Sequence, residues 1–227
     1  MIFAEISITD ITANQLPKYG PLKGQCCVQP GHYIKGTFFL GGAGLDGIYI
    51  PQLIKAFHDA GIISAVYLDR EKWSSGQHID ATIGVFFGRD YDPWFPMLLR
   101  IHPNSHKQFN LIGYSYGSLI AAQLAAKYAR YGSIVDHLVL IGSPISEEFL
   151  NLVNAMDNIK KVIVIDLDKQ GDPIFAGMDT FDLMTSARNL QQQFDEKEGH
   201  FYYAKEGSLG DKRRKELSEG LYKLGLR

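Results

Sequence analysis

Five apolar runs of strand length alternate with segments of helical period, and several of the runs are nearly continuous in apolar and β-branched residues. The runs are YIKGTFFL (33–40), IISAVYL (62–68), FNLIGY (109–114), HLVLIG (137–142) and KVIVIDL (161–167). A strand with one wet face alternates apolar and polar residues, whereas a strand apolar on both sides needs cover on both faces. The intervening segments can supply that cover. IPQLIKAFHDA (50–60) has apolar residues at i, i+3, i+4 and i+7 and is followed by Gly61. SLIAAQLAAKYARY (118–131) is rich in Ala and Leu and stops before Gly132. EEFLNLVNAM (147–156) follows Ser146, a fitting N-cap, and RRKELSEGLYKLG (213–225) keeps Leu217, Leu221 and Leu224 on one face. Strands alternating with helices predict an α/β fold, a mostly parallel sheet with helices on both faces, expected as one domain over residues 1–227. Residues 70–106 form a long connection, a length that often carries function, and are expected to be a lid or pocket-lining insertion. A short early strand is expected in AEISITDI, within residues 1–31.

Charge and cysteine content narrow the function classes. The formal net charge is −2 and the pI is near 6.4, which leaves no electrostatic footprint for nucleic acid. The one basic run, Lys212-Arg213-Arg214-Lys215, is neighboured by Asp211, Glu216 and Glu219 and reads as a solvated helix face. The only cysteines, Cys26 and Cys27, are adjacent, so there is no disulfide framework and no zinc-like spacing. No apolar run is long enough to cross a membrane. The N-terminus MIFAEISITD lacks the basic and apolar regions of a secretory signal, so the default expectation is a cytoplasmic protein, with signal-independent export left open. Nothing in the sequence specifies an oligomeric state.

The chemistry is concentrated in GYSYG, residues 113–117, which falls between the strand FNLIGY and the helix that follows. A sharp strand-to-helix turn lifts the Ser115 hydroxyl above the sheet edge, and glycines two before and two after let strand and helix approach closely. The helix points its first amides, and its positive dipole end, at any anion forming there. A tight turn with an ordinary surface serine would not explain why both glycines and both flanking patterns coincide.

With this motif in this setting, the chain from about residue 32 onward resembles the α/β-hydrolase family. The resemblance implies a nucleophile, an acid and a histidine in that chain order. Of seven histidines, only His200 lies beyond the last strong strand, in EKEGHFYYAKEG, where the family places its base. The resemblance puts the acid on the loop after KVIVIDL, and KQGDPIF fits that pattern. Asp172 is therefore preferred over Asp168, with Asp166 expected inside the strand and Asp179 and Asp182 near a helix start. For the oxyanion, the resemblance implies the backbone N–H of Tyr116 and one from the loop FFLGGAGLDG (38–47), with Gly42 the first candidate and Ala43 the next. Leu40 stands where the family commonly has a histidine.

Gly42, Gly44 and Gly47 also satisfy G-x-G-x-x-G, with Asp69 as a possible ribose partner, but a dinucleotide site would leave Ser115, Asp172 and His200 unexplained. The expectation is a serine hydrolase cleaving a carboxylic ester, lipase-, phospholipase- or esterase-like, on a small-molecule or lipid acyl substrate. It needs no metal and no organic cofactor. A thioesterase or acyltransferase could use the same three residues, and a non-catalytic relative could hold a small apolar ligand in the same pocket. Phe86, Phe87, Trp94, Phe95, Pro96 and Met97 in the long connection would line an acyl pocket or serve as helix core.

Overall fold

The computed structural model describes residues 35–42, 47–68, 107–186 and 190–227. The early strand, Cys26-Cys27, Ala43 and the whole 70–106 connection lie outside these residues. The described chain runs β1 (Gly36–Leu40), α1 (Tyr49–Asp59), β2 (Ala65–Tyr67), β3 (Phe109–Tyr114), α2 (Tyr116–Arg130), β4 (His137–Ile141), α3 (Glu147–Asn154) and β5 (Val162–Ile165). It continues with α4 (Thr180–Ser186), α5 (Leu190–Glu196) and α6 (Gly207–Lys223). Short 3-10 turns at Asp168–Gln170 and Gly199–Ala204 precede α4 and α6.

The five strands pair in the order β2-β1-β3-β4-β5, and every pairing is parallel. This is the doubly covered α/β sheet that the apolar runs predict. Continuous apolarity still resolves into two faces, because neighbouring side chains on a strand point to opposite sides. Leu111, Leu138 and Leu140 join α2 and α3 in one core. Ile112, Tyr114, Val139 and Ile141 join α1, α6 and the Gly199–Ala204 turn in the other. The predicted elements hold to within a few residues, except that α6 begins six residues earlier than its apolar stripe. Its first turns bury little apolar surface, so the hydrophobic period does not mark them. Ser146 caps α3 as expected, accepting from the Phe149 amide at 3.2 Å.

The strand order reverses at β1. The chain leaves β1 for β2 on one side and returns to β3 on the other, which opens a crevice at the carboxyl ends of β1 and β3. Ser115 follows β3 and Gly41-Gly42 follow β1, so both reach that crevice.

His137, at the start of β4, is buried, and its Nδ1 lies 2.8 Å from the Asn110 side-chain oxygen. Burial pushes its imidazole below the usual 6.5, Lys161 and Arg227 push the same way, and Asp136 opposes them. The fold therefore favours the neutral ring. As pH falls through the unfolded-state value, the unfolded chain takes up a proton that the folded chain resists, and stability drops. Thermal unfolding should show a lower midpoint at pH 5.5 than at 7.5, and His137→Gln should flatten this dependence. One group can contribute at most about 1.4 kcal/mol per pH unit. An equal slope in the variant would show that His137 is not responsible.

Candidate active site

The turn after β3 is built around one residue with positive φ. Ser115 has φ 54° and ψ −128°, a conformation that costs a non-glycine residue of order 1–3 kcal/mol and persists only where the surroundings enforce it. The surroundings here are backbone. The Ser115 amide donates to the Ile141 carbonyl at 2.8 Å, and the Ser118 amide donates to the Ser115 carbonyl at 2.9 Å. The Ser118 hydroxyl donates to the same carbonyl and lies 2.7 Å from the Ser143 hydroxyl. A serine at an N-cap ordinarily turns its hydroxyl back onto the first amides of its helix. Ser115 makes no such bond; its hydroxyl points away, towards His200.

The flanking glycines are required by close approach. A Cβ on Gly113 would stand 2.3 Å from the Ser118 Cα, and one on Gly117 would stand 2.3 Å from the Gly41 carbonyl oxygen and 2.4 Å from that of Leu40. The first turn of α2 thus rests directly on the end of β1. That contact sets the start of α2, with the Tyr116 amide, beside the backbone leading into Gly42. Every residue of α2 from Tyr116 to Ala129 is buried.

Asp172 and His200 arrive from two separate loops. After β5 the chain makes the Asp168–Gln170 turn, and the Asp172 amide donates back to the Leu167 carbonyl at 3.0 Å. This turns Asp172 inward while Asp168 stays exposed. One Asp172 oxygen accepts from the Ile174 amide at 2.8 Å and the other lies 2.8 Å from His200 Nδ1. His200 Nε2 lies 2.6 Å from Ser115 Oγ. Asp172 and His200 are buried and Ser115 is partly exposed. The geometry assigns the tautomer: Nδ1–H donates to the carboxylate, leaving Nε2 to accept from the serine hydroxyl.

Among the described residues the other two histidines are engaged elsewhere, His58 with the Ala65 carbonyl at 2.7 Å and His137 with Asn110. Asp166, expected within the strand, lies just beyond its end; it accepts from the Ala176 amide at 3.0 Å and so closes the base of the Asp172 loop. Burial is the main cause that pushes its carboxyl up. Asp179 accepts from the Asp182 amide at 2.8 Å at the start of α4.

Several residues of the site carry no signal that sequence reasoning used. Tyr114, fully buried beneath the turn, donates its hydroxyl to the His200 carbonyl. Burial holds its phenol well above 10, so it remains a neutral donor. The basic run of α6 is only half a solvated face. Lys212 and Lys215 are exposed, each beside a glutamate four residues on. Arg213 and Arg214 are buried and donate to the carbonyls of the His200 turn, Arg213 to Tyr202 at 3.1 Å and Arg214 to Tyr203 at 2.9 Å. Arg213 pairs with Glu198, and Arg214 with Asp211. Charge along the sequence does not reveal which cations turn inward, because the carbonyls they serve belong to another element.

An open parallel sheet with a strand-to-helix elbow at its switch point defines the α/β-hydrolase class. A family model described as the alpha/beta hydrolase fold matches residues 85–197, a span that holds β3 to α5 with Ser115 and Asp172. The parallel sheet with helices on both faces and this match agree: the chain has the α/β-hydrolase fold. Comparison with curated proteins gives no match. Among the described residues, no helix is long and apolar enough to cross a membrane.

Proposed function

We propose that the protein is a serine hydrolase that cleaves carboxylic esters through an acyl-enzyme on Ser115. The observation that carries this reading is the continuous hydrogen-bonded chain from Ser115 Oγ through His200 to Asp172. A serine hydroxyl is a weak nucleophile and needs a base in hydrogen-bond reach, which His200 Nε2 supplies. As Ser115 Oγ bonds to the substrate carbonyl carbon, its proton passes to Nε2. Asp172 stabilises the resulting imidazolium and keeps the ring oriented. The carbonyl oxygen becomes an oxyanion, held by the Tyr116 amide at the head of α2 and by an amide of the Gly42 loop. Support for Gly42 is its place one residue beyond Gly41, whose carbonyl abuts Gly117.

Collapse of the tetrahedral intermediate breaks the ester C–O bond, and the imidazolium returns its proton to the leaving alkoxide. Water then attacks the acyl group with His200 again as base, releasing the acid and restoring Ser115. The reaction draws on no metal or organic cofactor. The substrate is proposed to be a small-molecule or lipid ester, and thioester cleavage or acyl transfer on the same residues would differ only in leaving group and acceptor.

Turnover of p-nitrophenyl esters of graded chain length, measured beside phospholipids and acyl-CoAs, tests the reading and its substrate class. The acid is tested by two matched variants. Asp172→Asn should lower kcat by about 10⁴-fold through loss of the productive tautomer, while Asp168→Asn should leave it unchanged. Unchanged turnover in Asp172→Asn would remove Asp172 from the mechanism.

A further inference from the structure

The geometry points to Gln193 as a positioning residue that locks the acid loop to the base loop. This inference rests on the ester-cleaving reading and extends it to a residue that touches neither Ser115 nor substrate. Gln193 lies on α5, and its one side-chain amide makes two bonds in opposite directions. Its Nε2 donates to the Gly171 carbonyl, the residue before Asp172, at 2.8 Å. Its Oε1 accepts from the backbone N–H of His200 at 2.8 Å. An unbranched side chain with a donor and an acceptor on one planar head fits this bridge, because the two loops present a carbonyl and an N–H.

A second, independent feature supports the bridge. Gly199 precedes His200 with φ +54°, and a Cβ there would stand 2.3–2.7 Å from the head group of Gln193. The glycine thus clears the path by which the amide reaches His200. The packing of α5 against the turn reinforces it, with the Phe194 and Phe201 rings in edge contact at 5.1 Å between centroids. With Tyr114 holding the His200 carbonyl, both peptide groups of the base are bound by side chains from different elements.

The reason for such a clamp is mechanical. Asp172 and His200 are 28 residues apart and sit on separate loops. The Ser115–His200–Asp172 distances survive only if the loops move together, and small misplacements of reacting groups are costly. Around His200 the titratable groups are Asp172 from the acid loop, Tyr114 from β3, and Glu198 on its own turn, the last paired with Lys205 and Arg213.

The test uses the full chain, its Gln193→Met and Gln193→Glu variants, and a fluorophosphonate probe, with labelling of Ser115 followed by intact mass across pH. Gln193→Met removes both bonds and should slow labelling roughly tenfold or more. Gln193→Glu keeps the acceptor for the His200 amide and should retain more of the rate. Its added carboxylate favours the imidazolium, so its rising pH limb should move to higher pH. Backbone hydrogen exchange at His200 should accelerate in Gln193→Met and much less in Gln193→Glu. Labelling of Gln193→Met at the wild-type rate with an unchanged pH profile overturns the clamp and leaves the ester-cleaving reading standing. If Gln193→Met does not fold, Gln193→Glu decides alone, and an unshifted profile overturns the clamp. A folded wild-type chain that takes no label overturns the ester-cleaving reading and the clamp with it.

Discussion

Ser115→Ala is expected to remove ester turnover almost entirely, by about 10⁶-fold in kcat, which corresponds to about 8 kcal/mol of barrier. The size of the effect follows from the geometry. Ser115 Oγ is the partly exposed end of a hydrogen-bonded chain whose other members, His200 and Asp172, are buried. Removing the hydroxyl leaves a base with nothing to deprotonate except water. Catalysis would then rest on the oxyanion donors and on substrate binding, which supply a small residue of rate enhancement. The substitution should not unfold the chain, because the hydroxyl caps no helix and is hydrogen-bonded to His200. Intact mass after fluorophosphonate treatment should show one adduct in the wild type and none in Ser115→Ala. Persistent turnover in a folded Ser115→Ala protein would place the nucleophile elsewhere.

Gly117→Ala should have a large effect on stability for a small change in atoms. The new methyl carbon would meet the Gly41 and Leu40 carbonyl oxygens at 2.3 and 2.4 Å. Both are backbone atoms at the end of β1, which is hydrogen-bonded on both sides within the sheet. Neither can rotate away as a side chain would, so α2 must lift or β1 must bend. Overpacking of this kind costs about 1–3 kcal/mol and more where the obstacle is rigid. A loss of about 3 kcal/mol would lower the unfolding midpoint by roughly 10 °C in a chain of this length. The displaced helix would also carry the Tyr116 amide away from the proposed oxyanion position, so activity should fall more than the folded fraction does. Calorimetry and ester turnover on the same preparation separate the two effects. A midpoint within a degree or two of wild type would mean that β1 and α2 are not in such contact.

The fold was legible because it is written in local pattern. Strands buried on both faces must be largely apolar, and the five apolar runs of strand length supply the strands of the sheet. Helices that cover such a sheet must carry an apolar stripe, and α1, α2 and α3 announce theirs. The elbow was legible for a related reason: Gly113 and Gly117 are local answers to a steric demand that the structure states in ångströms.

The clamps around the site were not legible, because each joins residues far apart in the chain. Tyr114 reaches His200 across 86 residues, and Arg214 reaches Gln52 across 162. Gln193 resembles its neighbours in LQQQFDE, and nothing in that run marks it as the residue that bridges two loops. Local order in the chain could nominate Ser115, Asp172 and His200 as candidates, since motif, strand end and loop position are sequential properties. Their convergence to 2.6 and 2.8 Å is a property of packing alone. Periodicity records which face of an element avoids water. It carries no information about which distant backbone group a buried tyrosine, glutamine or arginine will find there, because that partner is fixed only when the sheet, its helices and its loops have come together.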